Sequence, residues 1–283
     1  MLRLLTPAKI NLFLEILGKR KDGYHSLKTL FLKVRLFDKI NICARKDKTI
    51  KISCNVKNVP VNKKNLVFKA VRLMQKYGGL DCGVSINIKK NIPVAAGLGG
   101  ASSDAAATLF GLNRLWALNL SLKVLMGLAK KIGADVPFFL LTDSLAYGTG
   151  RGDILKPLKI DKKYWILLVV PKIKVSTKRI YQAVTEDLTN IRDDVKLLTC
   201  ALRKVDISAI GELLFNRLES VTFNKYRWLG KLKDKISALG ARAVLMSGSG
   251  AVLFGFFKNR EEAIRIRNKL RGINCRLMVV QSM

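Results

Sequence analysis

Apolar and polar residues alternate with a period of two through much of the first 60 positions. The alternation in Lys9–Leu17, Thr29–Leu36, Lys39–Ala44 and Thr49–Cys54 predicts four strands, because successive side chains on a pleated strand point to opposite faces. The period then changes. Over 65–77 apolar residues recur at Val67, Ala70, Val71 and Met74, with Asn65 placed to cap the first turn and Gly78-Gly79 to end the helix. Val84, Ile86 and Ile88 return to strand alternation. A glycine-rich turn, Pro93–Gly100, then feeds an alanine-rich helix over Ala101–Trp116, and Ser121 heads a further helix that runs to Ile132. Asp153–Leu158 reads as another strand.

The texture changes after Lys162. Tyr164–Val170 is an apolar run closed by Pro171, as expected of a buried strand. Helical spacing follows near Thr177–Val184, Asp194–Val205, Ile207–Leu218 and Lys225–Leu239. Strands at Ala243–Met246 and Ala251–Phe257 flank a Ser-Gly-Ser-Gly turn, Arg260–Leu270 is helical, and Arg276–Val280 is a last strand. The change places a domain boundary near residue 160, giving domains of 1–160 and 161–283.

Composition narrows the class. With 283 residues, 49% of them apolar, the chain has enough to bury a core without staples, which excludes a disordered chain despite a net charge of +32. Five cysteines, none closer than eleven residues to another, form neither a C-x-x-C pair nor a zinc ribbon; reduced, mostly buried thiols in a cytoplasmic protein are expected. The longest apolar runs stop at about seven residues, against about 20 for a membrane span. A single histidine removes any His-rich metal site and most imidazole relays. The charge taken alone suggests a nucleic-acid binder.

The segment Pro93-Val-Ala-Ala-Gly-Leu-Gly-Gly-Ala-Ser-Ser-Asp104 carries the most chemistry. A strand enters, glycines allow close backbone approach to a ligand, and a helix starts at once, presenting its unpaired N–H groups and positive dipole end to an anion. Ser102 and Ser103 add hydroxyls to the same turn. Alone, such a turn serves packing as readily as phosphate binding. It is no Walker A loop, and Ser102 stands where the third Rossmann glycine belongs.

Two further segments change the weight of that turn. Pro7-Ala-Lys-Ile-Asn-Leu-Phe-Leu sets Lys9 and Asn11 two apart on one strand face, and Met246-Ser-Gly-Ser-Gly-Ala-Val-Leu-Phe is a second Gly/Ser turn between apolar strands. In this order, from residue 7 to 254, the three resemble the signature motifs of the GHMP kinase superfamily (galactokinase, homoserine kinase, mevalonate kinase and relatives). Lys21-Asp-Gly-Tyr-His25, with Gly133-Ala-Asp-Val-Pro-Phe138 and Val175-Ser-Thr-Lys-Arg-Ile-Tyr181, is similar to the cytidine-dependent branch of that superfamily.

The resemblance implies an α+β chain of the GHMP kinase fold. Its N-terminal mixed α/β ATP-binding domain would resemble a ribosomal-protein-like β-α-β fold, and its C-terminal domain would be ferredoxin-like. It also implies transfer of the ATP γ-phosphoryl group to the 2-hydroxyl of a diphosphocytidyl-methylerythritol substrate in the non-mevalonate isoprenoid precursor pathway. Asp135 matches the catalytic base and Lys9 its partner, an ammonium that would keep that carboxylate ionised. Pro93, Val94, Ala95, Ala96, Gly97, Leu98, Gly99, Gly100, Ala101, Ser102 and Ser103 would hold ATP. Tyr24 and Tyr181 match the positions that stack on cytosine, His25 the residue that reads its edge, and Asn11 the candidate for the methylerythritol hydroxyls.

Read without the resemblance, Asp135 serves equally as a helix N-cap, His25 as a part-buried turn residue and Asn11 as an exposed strand amide. Ala95 stands where the superfamily often has glycine, and alanine is expected there only at negative φ. Gly148-Thr-Gly-Arg-Gly152 has a phosphate-loop look, but no helix follows, so it reads as a turn between strands. Mg²⁺ is expected with unassigned ligands, since no glutamate lies between Glu15 and Glu186. The implied partners are small molecules, with no specific nucleic acid and no membrane, and the expected state is a monomer or weak homodimer. The alternatives are another GHMP small-molecule kinase, for homoserine or mevalonate, or a basic nucleic-acid-binding protein. Between residues 91 and 150 the chain carries four basic and three acidic residues, so nearly all of the +32 lies outside the segment holding the glycine turn and Asp135.

Overall fold

The computed structural model describes residues 1–184 and 191–283. In chain order the elements are β1 (Leu2–Lys19), β2 (His25–Arg45), β3 (Ile50–Cys54), α1 (Leu66–Gly78), β4 (Gly83–Lys89), α2 (Gly100–Leu115), α3 (Leu122–Ile132), β5 (Leu145–Thr149), β6 (Ile154–Leu158) and β7 (Trp165–Pro171). They continue with α4 (Thr177–Gln182), α5 (Val195–Lys204), α6 (Ile207–Leu213), β8 (Phe215–Asn216), α7 (Leu218–Lys225), α8 (Arg227–Ala238), β9 (Ala243–Met246), β10 (Leu253–Phe257), α9 (Arg260–Lys269) and β11 (Cys275–Gln281). A 3₁₀ turn, Pro137–Leu140, follows α3. The chain divides into two compact units, one of residues 1–8, 36–94 and 99–142, the other of 9–35, 95–98 and 143–283.

In the first unit the C-terminal part of β2 pairs antiparallel with β4 from Lys39↔Lys89 to Arg45↔Gly83, and β3 adds to β4 in parallel. Three helices cover one face. Ile40, Ile42, Ile86 and Ile88 from the strands meet Val67, Val71 and Met74 of α1, Ala105, Leu109 and Leu112 of α2, and Leu125 and Leu128 of α3. The Asn65 side chain accepts from the Val67 amide, a cap worth about 1 kcal/mol, and Gly79 closes α1 in the left-handed region. The two strands expected over Thr29–Leu36 and Lys39–Ala44 are one. Asp38 interrupts the alternation, yet it is fully buried and paired, so the strand passes through it.

The second unit holds a four-stranded antiparallel sheet in the order β11-β7-β10-β9. Numbered within this sheet, the order is 4-1-3-2. With helices between the first and second strands and between the third and fourth, this is the split βαβ ferredoxin-like arrangement. Leu167, Val169, Leu253 and Phe257 of the sheet pack against Leu229, Leu232 and Ile236 of α8 and Ala263, Ile266 and Leu270 of α9. The same unit carries the β5–β6 hairpin, which pairs through β5 with the start of β2.

Three expectations are corrected. The helix anticipated over Ile207–Leu218 is broken: α6 stops at Leu213, and Phe215–Asn216 pairs in parallel with Phe13–Leu14 of β1. Arg217 explains why the chain leaves helix there, because its guanidinium forms two 2.7 Å bonds to the buried Glu15 carboxylate of β1. The cysteines are free but not mostly buried; Cys43, Cys54, Cys82 and Cys275 are half-buried and Cys200 is exposed. Cys43 shows the cause, since it alternates with the fully buried Ile42 and so faces away from the core. Finally, Ala95 has φ +56°, in the left-handed region and not at negative φ. Among the described residues, no helix is long and apolar enough to cross a membrane.

Candidate functional site

The glycine turn begins where β4 ends. In the first unit, Asp38 of β2 takes the amides of Asn91 and Ile92 at 2.6 and 2.8 Å and binds the Lys90 ammonium. That ammonium also reaches Asp104 of α2 at 2.8 Å, and Thr6 donates to the other Asp104 oxygen at 2.8 Å. One buried lysine therefore ties the strand entering the turn to the helix leaving it. Burial pushes the Asp104 carboxyl up to about 6 against the opposing pull of Lys90. Burial also draws Lys90 down, but Asp104 and Asp38 outweigh it and hold the ammonium above its usual range.

The turn itself has a left-handed backbone at Ala95, Gly97 (φ +79°) and Gly99 (φ +69°), and α2 starts at Gly100 with no side chain capping it. The first-turn N–H groups of this 16-residue helix are thus left without a capping side chain. Ser103 has a buried hydroxyl that finds no hydrogen-bond partner among the described residues. Asp135 is half-buried just ahead of the 3₁₀ turn. Val136 occupies that turn's N-cap position, with no side-chain cap bond.

The second unit gathers Lys9, Asn11 and the middle of the glycine turn. Lys9 and Asn11 project from the same face of β1, and the Lys9 ammonium donates to Asn11 Oδ1 at 2.6 Å, 5.1 Å from the Phe31 ring centroid. Asn11 is not an exposed amide. It is 2% exposed, its Nδ2 donates to Thr29 Oγ1 at 2.8 Å, and that hydroxyl donates on to the Phe13 carbonyl. The Lys9 amide bonds to the Leu98 carbonyl at 2.9 Å, so the first motif holds the glycine turn directly.

Ser247 completes the arrangement. Its hydroxyl donates to the Gly97 carbonyl at 3.0 Å and accepts from the Asn11 amide at 3.2 Å. A Cβ at position 97 would lie 2.3 Å from the Ser247 carbonyl oxygen, so only glycine fits there. Asn216 of β8 donates to the carbonyls of Met246 and Gly248 at 2.7 and 2.8 Å, which fixes the Ser-Gly turn. The Ser249 hydroxyl lies 2.9 Å from that of Thr177, the first residue of α4, and α4 carries Tyr181.

His25 and Tyr181 come together, with ring centroids 5.6 Å apart and planes tilted by 37°. Tyr24 is 55% exposed, and its ring lies 5.0 Å from the Arg151 guanidinium. Sequence reasoning singled out the second Gly/Ser turn as a motif but assigned no role to Ser247, Ser249, Thr177 or Asn216. The serines carried a signal through their place in that turn, and Thr177 through the Val175–Tyr181 segment; Asn216 gave none. Nothing in the local sequence singles out Lys90 or Asp38.

Models of two domain families match the chain: the GHMP kinases N terminal domain over residues 65–143 and the GHMP kinases C terminal domain over 200–275. A 4-diphosphocytidyl-2-C-methyl-D-erythritol kinase of Geobacillus sp. (strain WCH70) is 42% identical over 94% of this chain and 91% of its own. The enzyme of that name from Alkaliphilus metalliredigens (strain QYMF) is 38% identical over 99% of this chain and 96% of its own. A crystal structure of 4-(cytidine 5'-diphospho)-2C-methyl-D-erythritol kinase superposes with TM-score 0.85 at 33% identity, covering 99% of each chain. A crystal structure of L. major mevalonate kinase shares the fold at 16% identity and TM-score 0.78, over 100% of this chain and 96% of its own. With the three motifs placed as above, the chain belongs to the GHMP kinase family, among its 4-diphosphocytidyl-2-C-methyl-D-erythritol kinases.

Proposed function

We propose that this kinase transfers the γ-phosphoryl group of ATP to the 2-hydroxyl of 4-diphosphocytidyl-2-C-methyl-D-erythritol, a step of non-mevalonate isoprenoid precursor synthesis. The observation that carries the choice of substrate is the His25–Tyr181 ring pair, half-buried and 5.6 Å apart. Homoserine and mevalonate have no base for such rings to stack on; a cytosine does, at about 1–3 kcal/mol per stacked base. Tyr24 supplies a second ring, and His25 reads the edge of the base.

Phosphoryl transfer asks a protein chiefly to position the reactants and to stabilise charge. Residues 93–103, with the free N–H groups of α2, cradle the phosphates. The substrate hydroxyl oxygen attacks Pγ as the bond from Pγ to the β,γ-bridging oxygen breaks, and its proton passes to the Asp135 carboxylate. Lys9, held by Asn11, places positive charge at the reacting oxygens. Asn11 keeps one amide hydrogen and one Oδ1 lone pair beyond its two bonds, and these serve the methylerythritol hydroxyls. No group of three or more carboxylate, thiol or imidazole ligands exists among the described residues. The buried Ser103 hydroxyl, without a partner among the described residues, is the oxygen the chain would offer to Mg²⁺, an ion that tolerates a shell completed by phosphate oxygens and water. When bound there, Mg²⁺ would supply charge that neutralises the phosphates of ATP.

The boundary near residue 160 remains our division of the chain, supported by family models that match on either side of it. We place the protein in the cytoplasm, as a monomer or weak homodimer without a specific nucleic-acid partner. Phosphorylation assays with the cytidine substrate, homoserine and mevalonate test the reading; turnover of homoserine or mevalonate alone overturns it. An oligonucleotide titration at physiological salt is expected to show only weak, non-specific binding.

A further inference from the structure

The turn Gly148-Thr-Gly-Arg-Gly152 joins the paired strands β5 and β6, with no helix after it, and its position gives it a task. β5 pairs with β2 from Thr29↔Gly148 to Leu32↔Leu145, and the Leu27 amide donates to the Gly150 carbonyl at 2.8 Å. The turn is thereby docked beside Tyr24-His25, where β2 begins. Left-handed backbone at Gly150 (φ +67°) and Gly152 (φ +92°) brings Arg151 back onto Asp153. One Asp153 oxygen takes the Arg151 amide at 3.2 Å, and the other takes Nε at 3.2 Å and Nη2 at 2.7 Å. So fixed, the guanidinium lies 5.0 Å from the centroid of the Tyr24 ring. On the chain side, the Tyr24 amide donates to Asp22, which Arg20 also holds.

A tyrosine that is 55% exposed turns about its side-chain torsions, and ordering it at the moment of binding costs affinity. A guanidinium over one face attracts the ring quadrupole and keeps the other face presented. We propose that Arg151 is a positioning residue for substrate recognition: it holds the Tyr24 ring in one orientation, so that the exposed face stacks on the pyrimidine of the substrate. This rests on the reading of Tyr24 as a base-stacking residue.

The test is steady-state kinetics on the full chain with ATP and the cytidine diphosphate substrate. Arg151→Ala, and Arg151→Met, which keeps the aliphatic stem, are expected to raise KM for the cytidine substrate about fivefold. In both, kcat and the KM for ATP stay within about twofold. Arg151→Lys is expected to recover part of the loss, because the cation remains while the planar fork is gone. In a Tyr24→Ala background, Arg151→Ala is expected to add nothing. An equal rise in both KM values, or the full Arg151 effect without Tyr24, overturns the proposal. If Tyr24→Ala raises KM while the Arg151 variants do not, the proposal fails and base stacking stands. An unchanged KM in Tyr24→Ala overturns both.

Discussion

The Ser247 hydroxyl donates to the Gly97 carbonyl at 3.0 Å across 150 residues of sequence, joining the second Gly/Ser turn to the centre of the first. Ser247 is fully buried, so nothing else replaces that donor. Ser247→Ala leaves the Gly97 carbonyl unpaired at a cost of about 1–3 kcal/mol. The expected outcome is a raised KM for ATP, with the KM of the alcohol substrate less affected. Gly97→Ala is harsher, since its Cβ meets backbone at 2.3 Å, and should abolish ATP binding measured by calorimetry.

Ala95 pays for its backbone. A non-glycine residue at φ +56° carries about 1–2 kcal/mol of steric strain, while glycine costs up to about 1 kcal/mol more unfolded-state entropy. Ala95→Gly is therefore expected to stabilise the chain by about 0.5–1 kcal/mol, read as a small rise in Tm.

Asp104 makes stability depend on pH. Its carboxyl stands at about 6 in the folded chain against 3.8 for the free side chain, burial being the main cause. Between those values the folded chain holds the proton that the unfolded chain has released, so this residue's contribution falls as pH rises from about 4 to about 6. Asp104→Asn removes the titration. The Tm difference, wild type minus variant, should drop across that window and be flat above it.

The His25–Tyr181 pair predicts a split between substrates. His25→Ala and Tyr181→Ala should each raise the KM for the cytidine substrate by roughly tenfold, in keeping with the loss of one base contact, and leave the KM for ATP near normal. Equal losses for both ligands mean that the pair is structural.

Much of this was legible in the sequence because local rules agreed with the fold. Asn65 caps α1 and Ser121 caps α3 as their hydrogen-bonding side chains dictate. Long-range partners decided what local rules missed. Phe215–Asn216 leaves helix to pair with β1 under the Glu15–Arg217 ion pair, and helical spacing over Ile207–Leu218 contains no trace of Glu15. Asp38 broke an alternation that its partner Lys90, 52 positions away, restores. The residues that hold the site are of the same kind. Lys9, Asn11 and His25 sit in recognisable motifs, whereas Asn216 and Arg151 act through contacts that only the folded chain makes.

Base chemistry at Asp135 is tested most directly by following phosphate transfer with ³¹P NMR, wild type beside Asp135→Asn, using ATP and 4-diphosphocytidyl-2-C-methyl-D-erythritol. Wild type is expected to form one new phosphomonoester, on the 2-oxygen. The variant should lose at least about 100-fold in kcat, at the scale of general-base catalysis, with a KM for ATP within about twofold. A wild-type chain that makes no such product, or a variant that turns over at a near-normal rate, contradicts the assignment.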